Sequence, residues 1–410
     1  MNLEYFIAKR LINAKSYKSS VSSPIIKIAI LAITISIVMM IMSVATGIGL
    51  QQKIREKISA FNGQIIISNF DDNQSQVTVE PLSETTFPIQ QLKKIEHVSH
   101  VQSIATKAGL IRTASAFEGI IFKGVDTKYD WKNLNEFLVE GRLPKFSEED
   151  INEVLISKYL ANRLHLKVGD RFNTFFMKEQ GKLPSVRKFK IAGIYNSGFQ
   201  DFDANYVIGN IEHVQRINKW TKNQIGAYEV FIDDFDKLDE IAEHVYRTIP
   251  PTYNSTPISQ KYYSIFEWLK LFDFNIIVVL IIMIVVATIN MVVALLVLIL
   301  ERTQLIGLLK AIGANNWSIR KIFIYNAVYL IGRGLLWGNG IALVLLYVQR
   351  YFGIVKLNPE SYYVNVAPVD INWFYIILLN IGTVIICGLV LIIPSYIITK
   401  VSPVKALKFD

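Results

Sequence analysis

The chain carries one cysteine, Cys387, so no disulfide can form within it, and charged residues make up only 19% of its length. Familiar catalytic signatures are missing as well. No GxSxG occurs, which removes the nucleophile elbow of serine hydrolases, and Ser16 to Ser23 read as a linker beside a membrane. Gly181-Lys182 is followed by Leu183, with no glycine at the spacing of a Walker A loop, so any ATP hydrolysis the protein depends on belongs to another chain. His97 and His100 stand three apart and could share a helical face, yet no Cys, no HExxH and no Asp or Glu at ligand spacing joins them. The residues therefore predict neither a metal, nor a cofactor, nor a catalytic role.

What the chain has in quantity is apolar sequence: 51% hydrophobic residues and a mean hydropathy of +0.33 over 410 residues. The excess is gathered at Ile25 to Leu50, Ile276 to Leu300, Ile322 to Val348 and Phe374 to Ile398, each long enough to cross a bilayer. The first is too long, and starts too late, for a secretory signal, so it reads as an uncleaved span. Cys387 lies in the last and reads as ordinary helix packing. In the third, Gly334 and Gly338 form a small-xxx-small pair for close helix approach, and Arg333 should face protein, water or a headgroup.

Charge orients these spans. The formal net charge of +9 is matched by residues 1–27 at +4, residues 301–321 at +3 and the tail from residue 399 at +2, whereas 51–275 holds 28 basic and 29 acidic residues. The positive-inside rule then puts both termini and the 301–321 loop in the cytoplasm. Nucleic acid is the weaker explanation of a pI near 9.2. The predicted order is a cytoplasmic helix at 1–24, spans at 25–50, 276–300, 322–349 and 374–398, an outside domain at 51–275 and an outside loop at 350–373. Segments 301–321 and 399–410 lie inside. Within the outside domain, strands are expected at 64–68, 77–79, 119–124, 154–156, 171–176, 187–195, 206–208 and 228–232, with helices at 89–97, 157–164, 211–217 and 237–248, a mixed α+β pattern. Its size allows a core of its own.

The most informative segment is Glu301-Arg302-Thr303-Gln304-Leu305-Ile306-Gly307-Leu308-Leu309-Lys310-Ala311-Ile312-Gly313-Ala314. Leu305, Leu308, Leu309 and Ile312 repeat with helical spacing as one apolar face, and Gly313 stands where a left-handed cap would end the helix. A basic interfacial helix between two spans would show the same pattern. The string itself resembles the ERxxEIGxLKAxGA box of the permease family that contains FtsX, MacB and the lipoprotein-releasing proteins LolC and LolE, with Leu305 at the family's second acidic position. The order of spans resembles that of the type VII ABC permeases. The closing Ser402-Pro403-Val404-Lys405-Ala406-Leu407, the Lys-Ile-Arg-x-Lys-Ile register at 53–58 and the run from Val154-Leu155-Ile156-Ser157 to Leu166-x-x-Gly169-Asp170 extend the likeness, best to LolC and LolE.

That resemblance implies a membrane α-helical protein: four transmembrane helices and a MacB-like periplasmic core domain of α+β type between helices 1 and 2. It implies a multi-pass subunit of the bacterial inner membrane, non-catalytic itself. A separate LolD-like ATPase would be engaged through Glu301, Arg302, Leu305, Ile306, Gly307, Leu309, Lys310 and Gly313. A second permease copy or homologue, a lipoprotein substrate, membrane lipid and a LolA-like periplasmic chaperone complete the implied partners. For the chaperone, Pro184-Ser185-Val186-Arg187-Lys188-Phe189 resembles the string ending the LolC hook, with Met177, Lys178, Leu183, Pro184 and Arg187 as contacts; an ordinary surface hairpin reads the same way. Met39, Met40 and Met283 are the candidate residues for acyl chains, since flexible thioethers suit varied shapes. An FtsX-like regulator of an external hydrolase and a MacB-like exporter are the alternatives; the size of the outside domain favours lipoprotein release.

Overall fold

The computed structural model describes residues 3–13, 22–70, 80–113, 116–146, 151–178 and 183–396. They divide into two compact units: Gln52–Trp268 with Leu357–Asn365, here the external unit, and the remainder, here the spanning unit. In chain order the elements begin with α1 (Leu3–Asn13), α2 (Ser22–Asn62), β1 (Ile65–Asn69), β2 (Leu82–Ser83), α3 (Ile89–Leu92), β3 (Val98–Arg112) and β4 (Phe117–Val125). There follow α4 (Lys132–Asn135), β5 (Leu138–Gly141), β6 (Glu153–Ser157), α5 (Lys158–Leu164), β7 (Arg171–Phe176), β8 (Ser185–Tyr195), α6 (Gln200–Asp203), β9 (Tyr206–Asn210) and α7 (Glu212–Asn218). Next are β10 (Gln224–Ile225), β11 (Ala227–Ile232), α8 (Leu238–Thr248), β12 (Tyr253–Pro257) and α9 (Ile258–Lys261). Last come α10 (Tyr263–Glu301), α11 (Thr303–Ala311), α12 (Asn316–Phe352), α13 (Pro359–Tyr362), α14 (Trp373–Val390) and α15 (Ile392–Ser395).

Four helices have the length and hydropathy of membrane spans, within α2, α10, α12 and the α14–α15 segment. A 41-residue α2 rises about 60 Å at ~1.5 Å per residue, twice a bilayer core. Its apolar part ends near Leu50, and Gln52 to Asn62 continues as helix within the external unit. Inside the spanning unit, α2 and α12 meet at glycine. A Cβ on Gly334 would lie 2.5 Å from Ile33 Cγ2, and one on Gly338 2.8 Å from Ile37 Cβ, while Thr34 Oγ1 donates to the Gly334 carbonyl at 3.3 Å. Asn339 and Asn380 exchange side-chain amide bonds of 2.7 and 2.9 Å between α12 and α14. Arg333 is exposed on α12 with its guanidinium 4.9 Å over the Tyr329 ring. Cys387 is buried beside Thr288, as plain packing requires.

The external unit is a ten-stranded mixed sheet in the order β12-β1-β11-β3-β4-β9-β6-β8-β5, with β7 bridging β3 and β8. β4–β9 and β6–β8 run parallel; the other pairs in this sheet are antiparallel. The predicted strands recur within a few residues, except 77–79, which lies outside the described residues. The helix expected at 89–97 stops at Leu92 and gives way to turns, the last at His97, whose φ of +67° leads the chain into β3. His97 and His100 therefore share no helical face: His97 bonds Asp233 at 2.8 Å from a turn, and His100 sits on a strand.

Candidate functional site

The segment between the second and third spans folds as α11, with Arg302 at its N-terminal boundary. Gly313 takes φ +92°, its N–H bonds the Lys310 carbonyl at 3.0 Å, and the Ala314 N–H bonds that of Leu309 at 2.9 Å. That pair of bonds is the glycine cap the sequence called for. The apolar face divides differently from the expectation. Ile306 is fully buried among Leu298, Ile299, Ile319 and Phe323, with Gly307 buried beside it and Leu309 packed against the same cluster. Leu308 and Ile312 are the exposed pair, at 51% and 73%. Ile306, Gly307 and Leu309 thus fix the helix to the bundle, since a nine-residue helix has to bury one side to stay ordered. Leu305 is half-buried, a position where the acid of the resembling box would lose part of its hydration.

The second expected site is built on a strand pair. Phe176 pairs with Ser185 and Thr174 with Arg187 between β7 and β8, and the connection leaves the sheet after Met177. Met177 and Leu183 are 52% and 88% exposed, and Lys178 and Pro184 are exposed with them. Residues 179–182 of the expected tip lie outside the described residues. Arg187 stays on the strand and bonds the carbonyl of its neighbour Val186 at 3.0 Å. Phe189 of the Pro-Ser-x-Arg-x-Phe string is core, its ring 5.0 Å from Phe122 and 4.9 Å from His213. The exposed Val186 escaped the sequence reading and extends the apolar tip.

The three candidate methionines lie in different surroundings. Met39 is 46% exposed, but Met40 is fully enclosed by its own bundle, and Met283 is half-buried against the same cluster. Consecutive helical residues diverge by about 100°, so Met39 and Met40 cannot line one surface. Among the described residues no three His, Cys, Asp or Glu side chains are placed to hold a metal. A cavity of about 170 Å³ in the external unit is lined by Glu84, Ser103, Asp126, Asn210 and Glu212. There burial, with Glu84 adding to it, raises the Asp126 carboxyl above its usual range.

Four spans, a mixed-sheet domain inserted after the first and a capped helix between the second and third make up the architecture in which these sites lie. The MacB-like periplasmic core domain model matches residues 28–245, and the FtsX-like permease C-terminal model matches 277–403. The chain belongs to the MacB/FtsX-like family of ABC transporter permeases and is of the LolC/LolE type. It is 28% identical to an uncharacterized membrane protein of Buchnera aphidicola subsp. Schizaphis graminum, over 99% of both chains. To the lipoprotein-releasing system transmembrane protein LolE of Haemophilus influenzae it is 20% identical over 99% of both. To LolC of Xylella fastidiosa it is 19% identical over 100% of this chain and 98% of that one.

Proposed function

We propose that the protein is an inner-membrane subunit that uses ATP hydrolysis by a separate, LolD-like ATPase to release lipoproteins to a periplasmic LolA-like chaperone. Both termini and α11 face the cytoplasm, in keeping with the basic charge of residues 1–27 and 301–321. The observation that carries the reading is the exposure of Leu308 and Ile312 on a helix anchored from behind by Ile306. An apolar pair in water, on a helix that cannot roll away, suits a groove on a cytoplasmic partner. Outside, Met177 and Leu183 offer the chaperone apolar contact at the end of the β7–β8 hairpin. A second permease, copy or homologue, completes the membrane portion.

The test is reconstitution of the full chain with its ATPase and second permease in proteoliposomes, followed by chaperone-dependent appearance of lipoprotein in the soluble fraction. Deleting Lys178 to Ser185 should leave ATP hydrolysis unchanged and reduce release to background, because an exposed tip holds little of the core. Release at the wild-type rate from the deleted protein would remove the hairpin from the mechanism. ATP-dependent activation of an external hydrolase, with no release at all, would replace the reading by the regulator.

A further inference from the structure

The connection between the third and fourth spans is a loop on paper, but Leu357–Asn365 belongs to the external unit. The segment closes on itself, the Leu357 N–H bonding the Asn365 carbonyl at 3.0 Å and the Tyr363 N–H bonding that of Pro359 at 2.9 Å. Val364 is 3% exposed. Tyr363 is the unusual residue. Its φ of +58° is left-handed, a conformation a bulky side chain adopts only when its surroundings hold it there. Its ring lies 4.8 Å from that of Phe199 and 5.8 Å from that of Trp268.

One side chain ties this segment to the rest of the unit. Lys57, on the stretch of α2 that continues the first span, is 7% exposed and donates from Nζ to the Ser197 carbonyl at 2.5 Å and the Tyr363 carbonyl at 2.9 Å. The socket is shaped for it. Asp203 accepts from the Ser197 N–H at 3.1 Å, the Ser197 hydroxyl at 2.8 Å and the Gly198 N–H at 3.0 Å, which fixes the loop carrying the acceptor. Gly198 is itself left-handed, at φ +66°, and a Cβ there would lie 3.2 Å from Lys57 Nζ. The Phe137 ring closes the remaining side, its centroid 5.9 Å from the ammonium.

This is a poor design for a permanent brace. Among the described residues no carboxylate forms an ion pair with Lys57; two carbonyl oxygens, a ring and the more distant charges of Asp203 and Glu136 are left to offset the hydration a buried ammonium gives up, and burial still lowers its pKa to about 8. The same ammonium also holds Tyr363 in a conformation it would leave if released. We propose that residues 357–365 are a strap latched by Lys57, and that the latch opens and closes as the permease works. Lys57 is a positioning residue in this scheme. When it is seated, the connection between the third and fourth spans is held to the continuation of the first; when it withdraws, Tyr363 relaxes and that connection is freed.

The inference rests on the ATP-driven permease, and its test involves no lipoprotein and no chaperone, so failure of the release reading would leave it standing. Hydrogen exchange by mass spectrometry is followed in the full chain, assembled with its ATPase in nanodiscs, with and without ATP and vanadate. In the wild type the 357–365 peptide should be protected without nucleotide and exchange about tenfold faster in the trapped state. In Lys57→Met it should exchange at the fast rate in both states, with β4 and β11 as protected as in the wild type. If that variant loses protection in β4 and β11 too, Lys57→Gln, which keeps a shorter donor, serves in its place and should show the same loss confined to the strap. A strap that stays protected in the variant, or that is indifferent to nucleotide in the wild type, overturns the proposal.

Discussion

Lys123 and Glu229 in the external unit, and Asn339 and Asn380 in the spanning unit, are both polar pairs set among apolar neighbours, and they are handled differently. The charged pair is 2.6 Å apart with both side chains 2% exposed, and its remaining bonds go to the Phe61 carbonyl and the Gln102 amide. The amide pair is uncharged, and each partner also donates to the carbonyl four residues back in its own helix. The surroundings differ in the same sense. Ile65, Phe122 and Val230 are wholly enclosed in the external unit, whereas Leu336, Ile377 and Ile393 of the spanning unit are 69%, 56% and 73% exposed. Burial from water drives the first and can carry a buried ion pair within it. Lipid supplies no such drive between helices, so the second relies on glycine contacts and neutral amides.

The comparison is broken most severely by removing one charge. Glu229→Leu leaves Lys123 buried without its carboxylate and should cost about 3–5 kcal/mol, lowering the thermal midpoint in detergent; Lys123→Met with Glu229→Leu should recover most of the loss. Near-normal stability of the single variant would show that water reaches the pair. Next in size is overpacking of the glycine seam. Gly338→Val should cost about 1–3 kcal/mol by the same assay, since even a Cβ would meet Ile37 at 2.8 Å, whereas Gly340→Val, with nothing within 4 Å, should be tolerated.

The sequence revealed what obeys a period. Four apolar runs, alternating strands such as Arg171–Phe176 and the helix closed by Gly313 were all readable. β3 was missed although it is the longest strand, because neighbours cover both faces of its middle, where burial runs through five consecutive residues. β12, Tyr-Asn-Ser-Thr-Pro, was missed for the opposite reason: at the sheet edge it needs no apolar face. The Lys123–Glu229 pair was invisible, since 106 residues separate two charges that each look like an ordinary strand residue. At the candidate site the helix and its cap were legible. Which apolar residues face outward was not, because Leu308 and Ile306 differ only in what packs behind them.

The smallest effect sharpens the external side. Burial lowers the His213 pKa, and its Nε2 meets the Ile151 carbonyl at 2.9 Å. Between the lowered folded value and an unfolded value of about 6.5 the unfolded chain holds the proton, so stability rises with pH across that window and is lost as pH falls through it. Thermal midpoints at pH 7 and 5 should therefore differ in the wild type and differ less in His213→Phe, whose ring can keep the edge-to-face contact with Phe189. An unchanged difference would assign the slope to other groups.

In the proposed mechanism ATP-driven motion enters through the outward side of α11. Its most direct measurement is recovery of the ATPase on affinity-purified permease carrying Leu308→Asp and Ile312→Asp, two exposed positions whose replacement spares the core. Each fully buried leucine or isoleucine contributes roughly 1.5–3 kcal/mol, so losing both should weaken association at least tenfold while the thermal midpoint of the permease stays unchanged. ATPase recovered at the wild-type level would contradict the account.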